Sequence, residues 1–491
     1  MRFSKSPAVY LSLLYLVSAF IRLSVNFSTE FIPGANGAFY LVNIRSVIET
    51  GEIFFKDFPL VFWLEAFAAR VINFFGIAGI EQSIDLASRL FDSLIPPLAI
   101  IPAYLLAKKL IDGDRENHSS VIISSLSILF ISFLILVSDF QKNALGLIWI
   151  FFLLLYVKKS LQEKGLRNYL LTLFFFILTG ITHFGCFSVA ILYMVLLIFI
   201  KYAVRRKSII MPFTALLFVI VISYAIISLI SPPRFKTLMD FSLQIFRDPV
   251  LILFLQRQPS LSPIDFLSMF FVNAVSIAAL VIYLKKENVI PECNKIFILT
   301  SIVVSIFLAF PFIGLEWSQR LNFISYVTMF PLLPFIYSST GSLMRKKFLL
   351  AMIVVIAALS VLARTGMKTY SNMEREQFNE LNVIKKKLPS EGSLLLVTRH
   401  GMEWWASYAL RVSVVIEKVL IKEYWDRFDY LLFLVQKKEK APFGPTGIHG
   451  PPFREPVIPP QSELFYSGKY YDLYRSRIKP EDMSIFNERE K

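Results

Sequence analysis

Charged and polar side chains recur at the ends of long apolar runs in this sequence, where their chemistry would be available at a membrane surface. Asp139 directly follows "ILFISFLILVS", and Glu316 directly follows "LAFPFIGL". Carboxylates in such places can accept protons, and Lys or Arg side chains can bind anionic groups. Ionisable residues beside membrane segments are therefore candidates for a functional site. The candidates are Asn36, Arg45, Glu52, Asp57, Asp139, Lys142, His183, Arg234, Arg257, Glu316 and Arg320.

Each candidate alone also fits an ordinary structural role. A single charged residue at a membrane interface is usually just solvated, and a lone histidine such as His183 in "ITHFGCF" is more often a hydrogen-bonded structural residue than a base. Acids and bases from four or five separate loops, all on one predicted side, are more typical of a cavity.

The composition is that of a polytopic membrane protein. Of 491 residues, 55% are hydrophobic and 18% charged, whereas globular domains carry about 25% charged residues. Much of the net charge of +15 lies in "AKK", "VKK", "KYAVRRK", "YLKK" and "MRKK", which border apolar runs. This pattern indicates cytoplasmic flanks of membrane spans and no nucleic-acid partner. Cys186 and Cys293 have neither disulfide nor metal-ligand spacing, so we expect no metal site and no cofactor.

Apolar runs long enough to cross a membrane, about 20 residues each, predict about eleven transmembrane helices. The N-terminal run carries no convincing signal-peptide cleavage site, so we interpret it as a retained first span. The runs begin near Ala8, Phe91, Ser119, Ala144, Tyr169, Gly185, Ser208, Ile264, Lys295, Leu321 and Phe348.

One further run, Phe58 to Ile80, is ambiguous because Glu65 and Arg70 lie in its middle. A charge at the bilayer centre costs about 2.5–3.5 kcal/mol. The basic segments "MRFSK" and "LLAKKLIDGDR" are both predicted to be cytoplasmic. An even number of spans must lie between them, which holds only if this run does not cross the membrane. We therefore predict an interfacial amphipathic helix 58–80 within a first outer loop 27–90. A true span with paired charges remains the alternative.

The same alternation predicts a cytoplasmic N-terminus and an extracytoplasmic region after Arg364. The domains are then a transmembrane domain 1–364 and a small C-terminal domain 365–491. We expect the transmembrane domain to lie in the plasma membrane. In the C-terminal domain, "NMEREQFNELNVIKKKL" and "HGMEWWASYAL" predict helices, and "SLLLVT" and "FDYLLFLV" predict strands, which together indicate an α/β fold. "TRHGMEWW" clusters His400 and Glu403 with two Trp residues that either pack in a core or stack on a sugar.

The order of landmarks in the first two hundred residues resembles the GT-C class of membrane glycosyltransferases. The match is to its protein-mannosyltransferase and aminoarabinose-transferase-like branch, and it covers roughly Met1 to Ile200. The stretches that carry it are "GANGAFYLVNIRSVIETGEIFFKDFPLVFWL", "ASRLFDSLIPPLAIIPAYLLAKKL" and "SDFQKNALGLIWIFFLLLY". Their landmarks are the aromatic pair Phe39–Tyr40, the turn Thr50–Gly51, a helix starting at Pro59, Arg89–Leu90, and a later acid, Asp139.

This resemblance implies an all-α GT-C-like membrane domain and a reaction. A sugar carried on a polyprenyl phosphate is transferred, at the outer membrane face, to a lipid, glycan or protein acceptor. A carboxylate would deprotonate or orient the acceptor, cations would stabilise the phosphate, and an apolar groove open to membrane lipids would bind the isoprenoid. Asp139 can supply the carboxylate. Several residues can supply cations or other substrate contacts: Arg45, Lys142, His183, Arg234, Arg257, Glu316 and Arg320.

The sequence departs from the family where an Asp is expected, because Asn36 occupies that position. An amide cannot act as a base near neutral pH. Asp57, Glu52 or Asp139 then takes over this role, or the acceptor needs only positioning, or the scaffold has lost transfer chemistry. The last possibility makes the alternative function a non-catalytic protein that binds lipid-linked glycans. A secondary transporter is disfavoured because the sequence shows no inverted repeat.

Overall fold

The computed structural model describes residues 6–55, 57–111, 117–163, 165–206, 214, 239, 243, 245–256, 263–437 and 455–477. The chain divides into two compact units. The first unit combines Met1–Arg22 with Asp92–Met367, and the second combines Leu23–Phe91 with Lys368–Lys491. The segment of the predicted first outer loop thus groups with the C-terminal segment, a grouping that the linear sequence did not reveal. The domain limits 1–364 and 365–491, with the C-terminal part outside the membrane, stay predictions.

Helices dominate the described chain up to residue 366. Up to residue 206 they are α1 (Pro7–Asn26), α2 (Gly37–Thr50), α3 (Leu60–Phe74), α4 (Ile80–Leu94), α5 (Ile100–Leu110), α6 (Asn117–Leu129), α7 (Ile131–Leu134), α8 (Gln141–Gln162), α9 (Leu166–Thr182) and α10 (Phe184–Arg206). From residue 250 they are α11 (Val250–Leu255), α12 (Pro263–Lys286), α13 (Glu292–Leu308), α14 (Leu315–Met329), α15 (Leu332–Ser339) and α16 (Leu343–Gly366).

Seven helical segments of the described residues are long and apolar enough to cross a membrane, so the chain is an integral membrane protein. Five are single helices, namely α1, α8, α10, α12 and α16. The other two, Ile80–Leu110 and Trp317–Ser339, run through consecutive helices.

The expected count of about eleven spans is not confirmed, for identifiable local reasons. The run that begins near Ser119 leaves the helical conformation at Phe130 (φ −73°, ψ 145°), which divides it into α6 of 13 residues and α7 of 4. The helices on the runs from Tyr169 and Lys295, α9 and α13, have 17 residues each. The run from Ser208 lies largely outside the described residues.

Small and hydroxyl-bearing residues allow the helices of the first unit to pack closely. A Cβ added at Gly146 in α8 would lie 2.6 Å from the Cys186 sulfur in α10, so this crossing requires glycine. The hydroxyls of Ser132 and Ser268 lie 2.7 Å apart, linking α7 to α12. Close approach through small residues and hydrogen bonds is how helices associate in membranes, where apolar burial provides little drive.

In the second unit, α3 has two different apolar faces. One face is buried and includes Phe62, Ala66 and Glu65, whose carboxylate lies 3.5 Å from the Ser88 hydroxyl. The other face exposes large apolar side chains, among them Phe67 at 69% and Phe74 at 84%. An exposed aromatic face of this kind suits the membrane interface, and the interfacial position of this helix stays a prediction.

A spin label on this exposed face should therefore lie in contact with membrane lipid. We expect a label at Phe67→Cys, in a Cys293→Ser background, to collide more with dissolved oxygen than with a water-soluble nickel complex in reconstituted bilayers. The matched control is Glu52→Cys, on the exposed turn after α2, where the preference should reverse. Equal accessibility of the two labels to the nickel complex would contradict the interfacial position of α3.

The C-terminal part of the second unit forms a small α/β sheet, as predicted. Its elements are α17 (Arg375–Lys387), β1 (Leu394–Thr398), α18 (Glu403–Leu410), β2 (Ser413–Ile416), α19 (Tyr424–Arg427), β3 (Tyr430–Gln436), β4 (Glu463–Ser467) and β5 (Tyr471–Ser476). The strand order is β2-β1-β3-β5-β4, with β1 parallel to β2 and β3, and β5 antiparallel to β3 and β4. The predicted Pro/Gly loop "APFGPTGIHGPPFREPVIPP" lies mostly outside the described residues.

Local sequence explains these elements well. A capping box between Glu374 and Gln377 starts α17. The apolar runs of β1 and β3 pair in register and form one core that includes Val397, Leu420 and Phe433. Sequence reasoning missed β2, β4 and β5, which lie at or near the edges of the sheet.

Candidate functional site

In the first unit, a tight turn between α7 and α8 presents Asp139. Ser138 adopts a left-handed conformation (φ +71°), uncommon for a residue other than glycine. Its amide donates a hydrogen bond of 2.9 Å to Oδ2 of Asp92. Asp139 itself is half-buried and directly precedes Phe140, the N-cap residue of α8. The strained turn is thus fixed by a carboxylate from a distant part of the chain.

That carboxylate belongs to a fully buried ion pair. Nη2 of Arg22 in α1 lies 2.6 Å from Oδ1 of Asp92, and both side chains have 0% exposure. Nε of Arg22 also donates to the Asp92 carbonyl at 2.7 Å, and its guanidinium lies 5.0 Å from the Phe133 ring centroid. A buried pair costs desolvation energy and is stable only when its remaining donors and acceptors are satisfied. Here Asp92 uses its second oxygen to hold the turn before Asp139.

A second buried cation, Arg364, lies in the same part of the first unit. Arg364, close to the C-terminal end of α16, is 8% exposed and donates from Nε to the Leu134 carbonyl at 3.2 Å. Asp139 attracts this guanidinium electrostatically, whereas Arg22 repels it. One acid and two arginines, from α1, α16 and the turn before α8, therefore meet in one region of the first unit.

Sequence reasoning did not select Arg22, Asp92 or Arg364. A signal was present, because Arg22 interrupts the first apolar run and Asp92 closely follows the Arg89–Leu90 landmark. Charges inside or at the ends of apolar runs are expensive in membranes unless partnered. Their partners, however, are not inferable from sequence order.

The other predicted residues of the first unit take varied positions. Lys142 is half-buried in the first turn of α8. Nδ1 of His183 accepts a hydrogen bond of 3.2 Å from the Cys186 amide at the start of α10, a capping role. Arg320 is exposed, with its guanidinium 5.6 Å from the Trp317 ring centroid, and Glu316 lies in the first turn of α14. Arg234 and Arg257 lie outside the described residues.

In the second unit, Asn36 and Asp57 both precede helices. Asn36 is the half-buried N-cap residue of α2, with φ −93° and ψ 2°, and its carbonyl accepts from the Phe39 amide at 3.0 Å. The side chain of Asn36 makes no capping hydrogen bond to this helix. Asp57 is also half-buried, and its Oδ1 accepts from the Phe58 amide at 2.7 Å.

Arg45 is engaged in contacts within the second unit. It forms an ion pair with Glu81 of α4, donates to the Tyr408 carbonyl at 2.7 Å, and stacks its guanidinium 3.8 Å from the Tyr408 ring centroid. Arg411 also binds Glu81, at 2.7 Å. Burial raises the pKa of the Tyr408 phenol, so its hydroxyl stays protonated and donates to Glu81 at 3.2 Å. These contacts join α2, α4 and α18.

The "TRHGMEWW" segment forms a polar and aromatic cluster at the start of α18. Nδ1 of His400 lies 2.8 Å from Oε1 of Glu403; the His400 side chain is 59% exposed and that of Glu403 only 8%. The Trp404 ring lies 5.4 Å from His400 and 5.7 Å from Phe39, while Trp405 is fully buried. Of the two predicted roles, core packing fits Trp405, and Trp404 with His400 forms a partly accessible surface. Within the described residues, no group of three or more His, Cys, Asp or Glu side chains is placed to bind a metal ion.

No protein-family model matches the chain, and no curated protein matches it. Solved structures do match. The apo oligosaccharyltransferase of Archaeoglobus fulgidus aligns with a TM-score of 0.59 at 11% identity, over 82% of this chain and 64% of that one. The same enzyme, AglB, in complex with an inhibitory peptide and a dolichol-phosphate aligns with a TM-score of 0.55 at 12% identity, over 82% and 64%.

ArnT from Cupriavidus metallidurans, bound to undecaprenyl phosphate, aligns with a TM-score of 0.50 at 11% identity over 95% of this chain and 97% of that one. The chain thus matches ArnT over nearly its whole length but spans less than two thirds of the oligosaccharyltransferase. Both neighbours are GT-C glycosyltransferases. The expected GT-C-like fold is confirmed.

Proposed function

We propose that this protein is a membrane glycosyltransferase that moves a sugar from a polyprenyl-phosphate-linked donor to a lipid, glycan or protein acceptor at the outer membrane face. The observation that carries the proposal is the half-buried Asp139, presented on a turn that the buried Arg22–Asp92 pair fixes. The two fold neighbours support the donor class, since one binds a dolichol-phosphate and the other undecaprenyl phosphate.

In the proposed reaction, Asp139 is the proton acceptor. The O–H bond of the acceptor breaks, its proton passes to the carboxylate, and its oxygen bonds to the anomeric carbon. The bond from that carbon to the phosphate oxygen breaks, and its electron pair leaves with the polyprenyl phosphate. Asp57 is the second candidate for the proton acceptor. Because amides do not accept protons near neutral pH, Asn36 can only orient a substrate by hydrogen bonds.

The candidate substrate-binding residues differ in the contacts that they already make within the protein. Among the described residues of the first unit, Lys142 and Arg320 are the predicted cations with at least partly accessible side chains, and they suit a phosphate or sugar hydroxyls. The network around Arg45 favours a positioning role for that residue. The contact from Cys186 gives His183 a helix-capping role in addition to any contact with substrate. We further propose a plasma-membrane location with a cytoplasmic N-terminus, from the predicted alternation of sides.

The alternative is a non-catalytic GT-C-like protein that binds lipid-linked glycans. Asn36 favours it, because an amide stands where the family that the sequence resembles carries an acid. The N-cap position of Asn36 in α2 does not account for the amide, because the side chain makes no capping hydrogen bond there.

The test is sugar transfer from a panel of labelled polyprenyl-phosphate sugars in reconstituted membranes. Wild type is compared with Asn36→Asp, with an empty-membrane control. Sugar transfer by the wild type would show that the protein is a glycosyltransferase. Transfer that appears only with Asn36→Asp identifies a scaffold that has lost its acid. Binding of the donors without transfer by either protein supports the alternative.

A further inference from the structure

Two polar side chains at the start of α14 carry buried atoms that lack hydrogen-bond partners. Within the described part of the chain, neither Oγ of Ser318 nor Nε2 of Gln319 has a partner. Ser318 is 1% exposed, whereas the Gln319 residue as a whole is half-buried. A buried donor without an acceptor destabilises a protein, so such groups are rare in native structures and each calls for an explanation.

Polar side chains further along α14 have their partners inside the protein. Nδ2 of Asn322 donates to the Asp265 carbonyl at 3.0 Å, and the Ser325 hydroxyl donates to the Asn322 carbonyl at 2.9 Å. Residues four apart lie on the same face of a helix. Ser318 therefore shares the face of Asn322 and is turned toward the start of α12, where Asp265 lies.

The other unpartnered atom is turned toward the residues around Asp139. Gln319 shares a helix face with Phe323, which lies four residues later. The ring centroid of Phe323 is 5.5 Å from that of Phe140, the residue that directly follows Asp139. The amide of Gln319 thus lies on the side of α14 that packs against the turn presenting the proposed proton acceptor.

The chemistry of the two groups suits a ligand that is uncharged and hydroxylated. An amide nitrogen donates hydrogen bonds, and a serine hydroxyl both donates and accepts them, so both can pair with a sugar hydroxyl. A protonated amino group only donates. An aminosugar would therefore place one donor against another at Gln319, and neither residue provides the opposite charge that a buried ammonium needs.

We propose that Ser318 and Gln319 bind hydroxyl groups of the transferred sugar and select an uncharged sugar over an aminosugar. This inference rests on the proposed function and deepens it by naming the class of sugar. In the donor-free protein the two unpartnered atoms lower stability, and the hydroxyls of the bound sugar supply the missing hydrogen bonds. Both residues are assigned to binding and specificity and take no part in proton transfer.

The test is binding of farnesyl-phosphate-linked sugars to the full-length protein in nanodiscs. The neutral probes carry glucose, mannose or arabinose, the charged probe carries aminoarabinose, and farnesyl phosphate alone lacks a sugar. We expect the wild type to bind at least one neutral probe about tenfold more tightly than the aminoarabinose probe. Gln319→Met and Ser318→Ala should each reduce this preference by about threefold or more, because each removes one neutral hydrogen bond, while farnesyl phosphate binding stays unchanged.

Thermal unfolding of the donor-free protein provides a second measurement. A side chain that serves the fold loses stability when it is replaced, whereas removal of an unpartnered buried polar group costs little or stabilises. We therefore expect both variants to unfold at or above the wild-type temperature. The matched control, Gln162→Met, changes an exposed glutamine at the C-terminal end of α8 and should keep the wild-type sugar preference.

Each outcome decides the inference. A reduced preference in both variants, with unchanged farnesyl phosphate binding, supports it. An unchanged preference in both variants, or a wild type that binds the aminoarabinose probe as tightly as every neutral probe, overturns the assignment and leaves the proposed function standing. Loss of farnesyl phosphate binding together with lower unfolding temperatures also overturns it, because the two residues would then serve the fold. Failure of the wild type to bind any of these probes overturns the proposed function as well.

Discussion

Replacing Asp139 by asparagine is expected to reduce sugar transfer by about 10²–10⁴-fold, the usual contribution of a general base. The amide is nearly isosteric with the carboxylate but cannot accept the acceptor's proton near neutral pH. The backbone of the turn should persist, because the Ser138 amide donates its hydrogen bond to Asp92. Initial rates are to be measured in reconstituted membranes with a saturating lipid-linked donor, and thermal unfolding serves as the folding control.

Two further variants sharpen this experiment. Asp57→Asn tests the rival carboxylate. A large loss of sugar transfer in Asp57→Asn, with normal transfer by Asp139→Asn, would assign the role of the base to Asp57 in the second unit. Glu163→Gln is the matched control, because Glu163 is the C-cap residue at the opposite end of α8 and its side chain forms an exposed pair with Lys109. Its rate should stay within about twofold of the wild type, since exposed pairs contribute little.

Local patterns in the sequence predicted the parts of the fold that depend on local forces. The helix of "NMEREQFNELNVIKKKL" and the strand of "SLLLVT" appear as α17 and β1, because a capping box and a continuous apolar run specify them almost alone. The span count was less predictable. Hydropathy does not report that Phe130 is extended and interrupts an otherwise apolar run.

The candidate site was only partly predictable, since its decisive contacts join residues far apart in sequence. Asp139 was selected because it ends an apolar run. The residues around it were not, since Arg22 and Asp92 are 70 positions apart and Arg364 and Leu134 are 230 apart. Arg45 stays a predicted substrate contact. Its ion pair with Glu81 adds a contact that the order of residues in the sequence did not indicate.

Breaking the buried Arg22–Asp92 pair is expected to cause the largest loss of stability among the changes considered for this protein. Arg22→Met leaves Asp92 buried and uncompensated, and Asp92→Leu does the same to Arg22, so each should cost about 3–5 kcal/mol. The double variant Arg22→Met/Asp92→Leu should recover most of this loss, because two apolar side chains replace two buried charges. Thermal and denaturant unfolding of the purified protein give the three values for a double-mutant cycle. Lys109→Met, at an exposed pair, is the control and should change stability by less than about 1 kcal/mol.

The double variant also separates stability from positioning. It removes the Asp92 oxygen that accepts from the Ser138 amide, so the left-handed turn before Asp139 loses its anchor. If the ion pair exists to position Asp139, the double variant should be nearly as stable as the wild type and yet transfer sugar far more slowly. Recovery of both stability and transfer would show that the pair contributes only to folding. If both single variants were as stable as Lys109→Met, burial of the Arg22–Asp92 pair would be contradicted. Asp139 would then not be held in place by charges from α1 and α4.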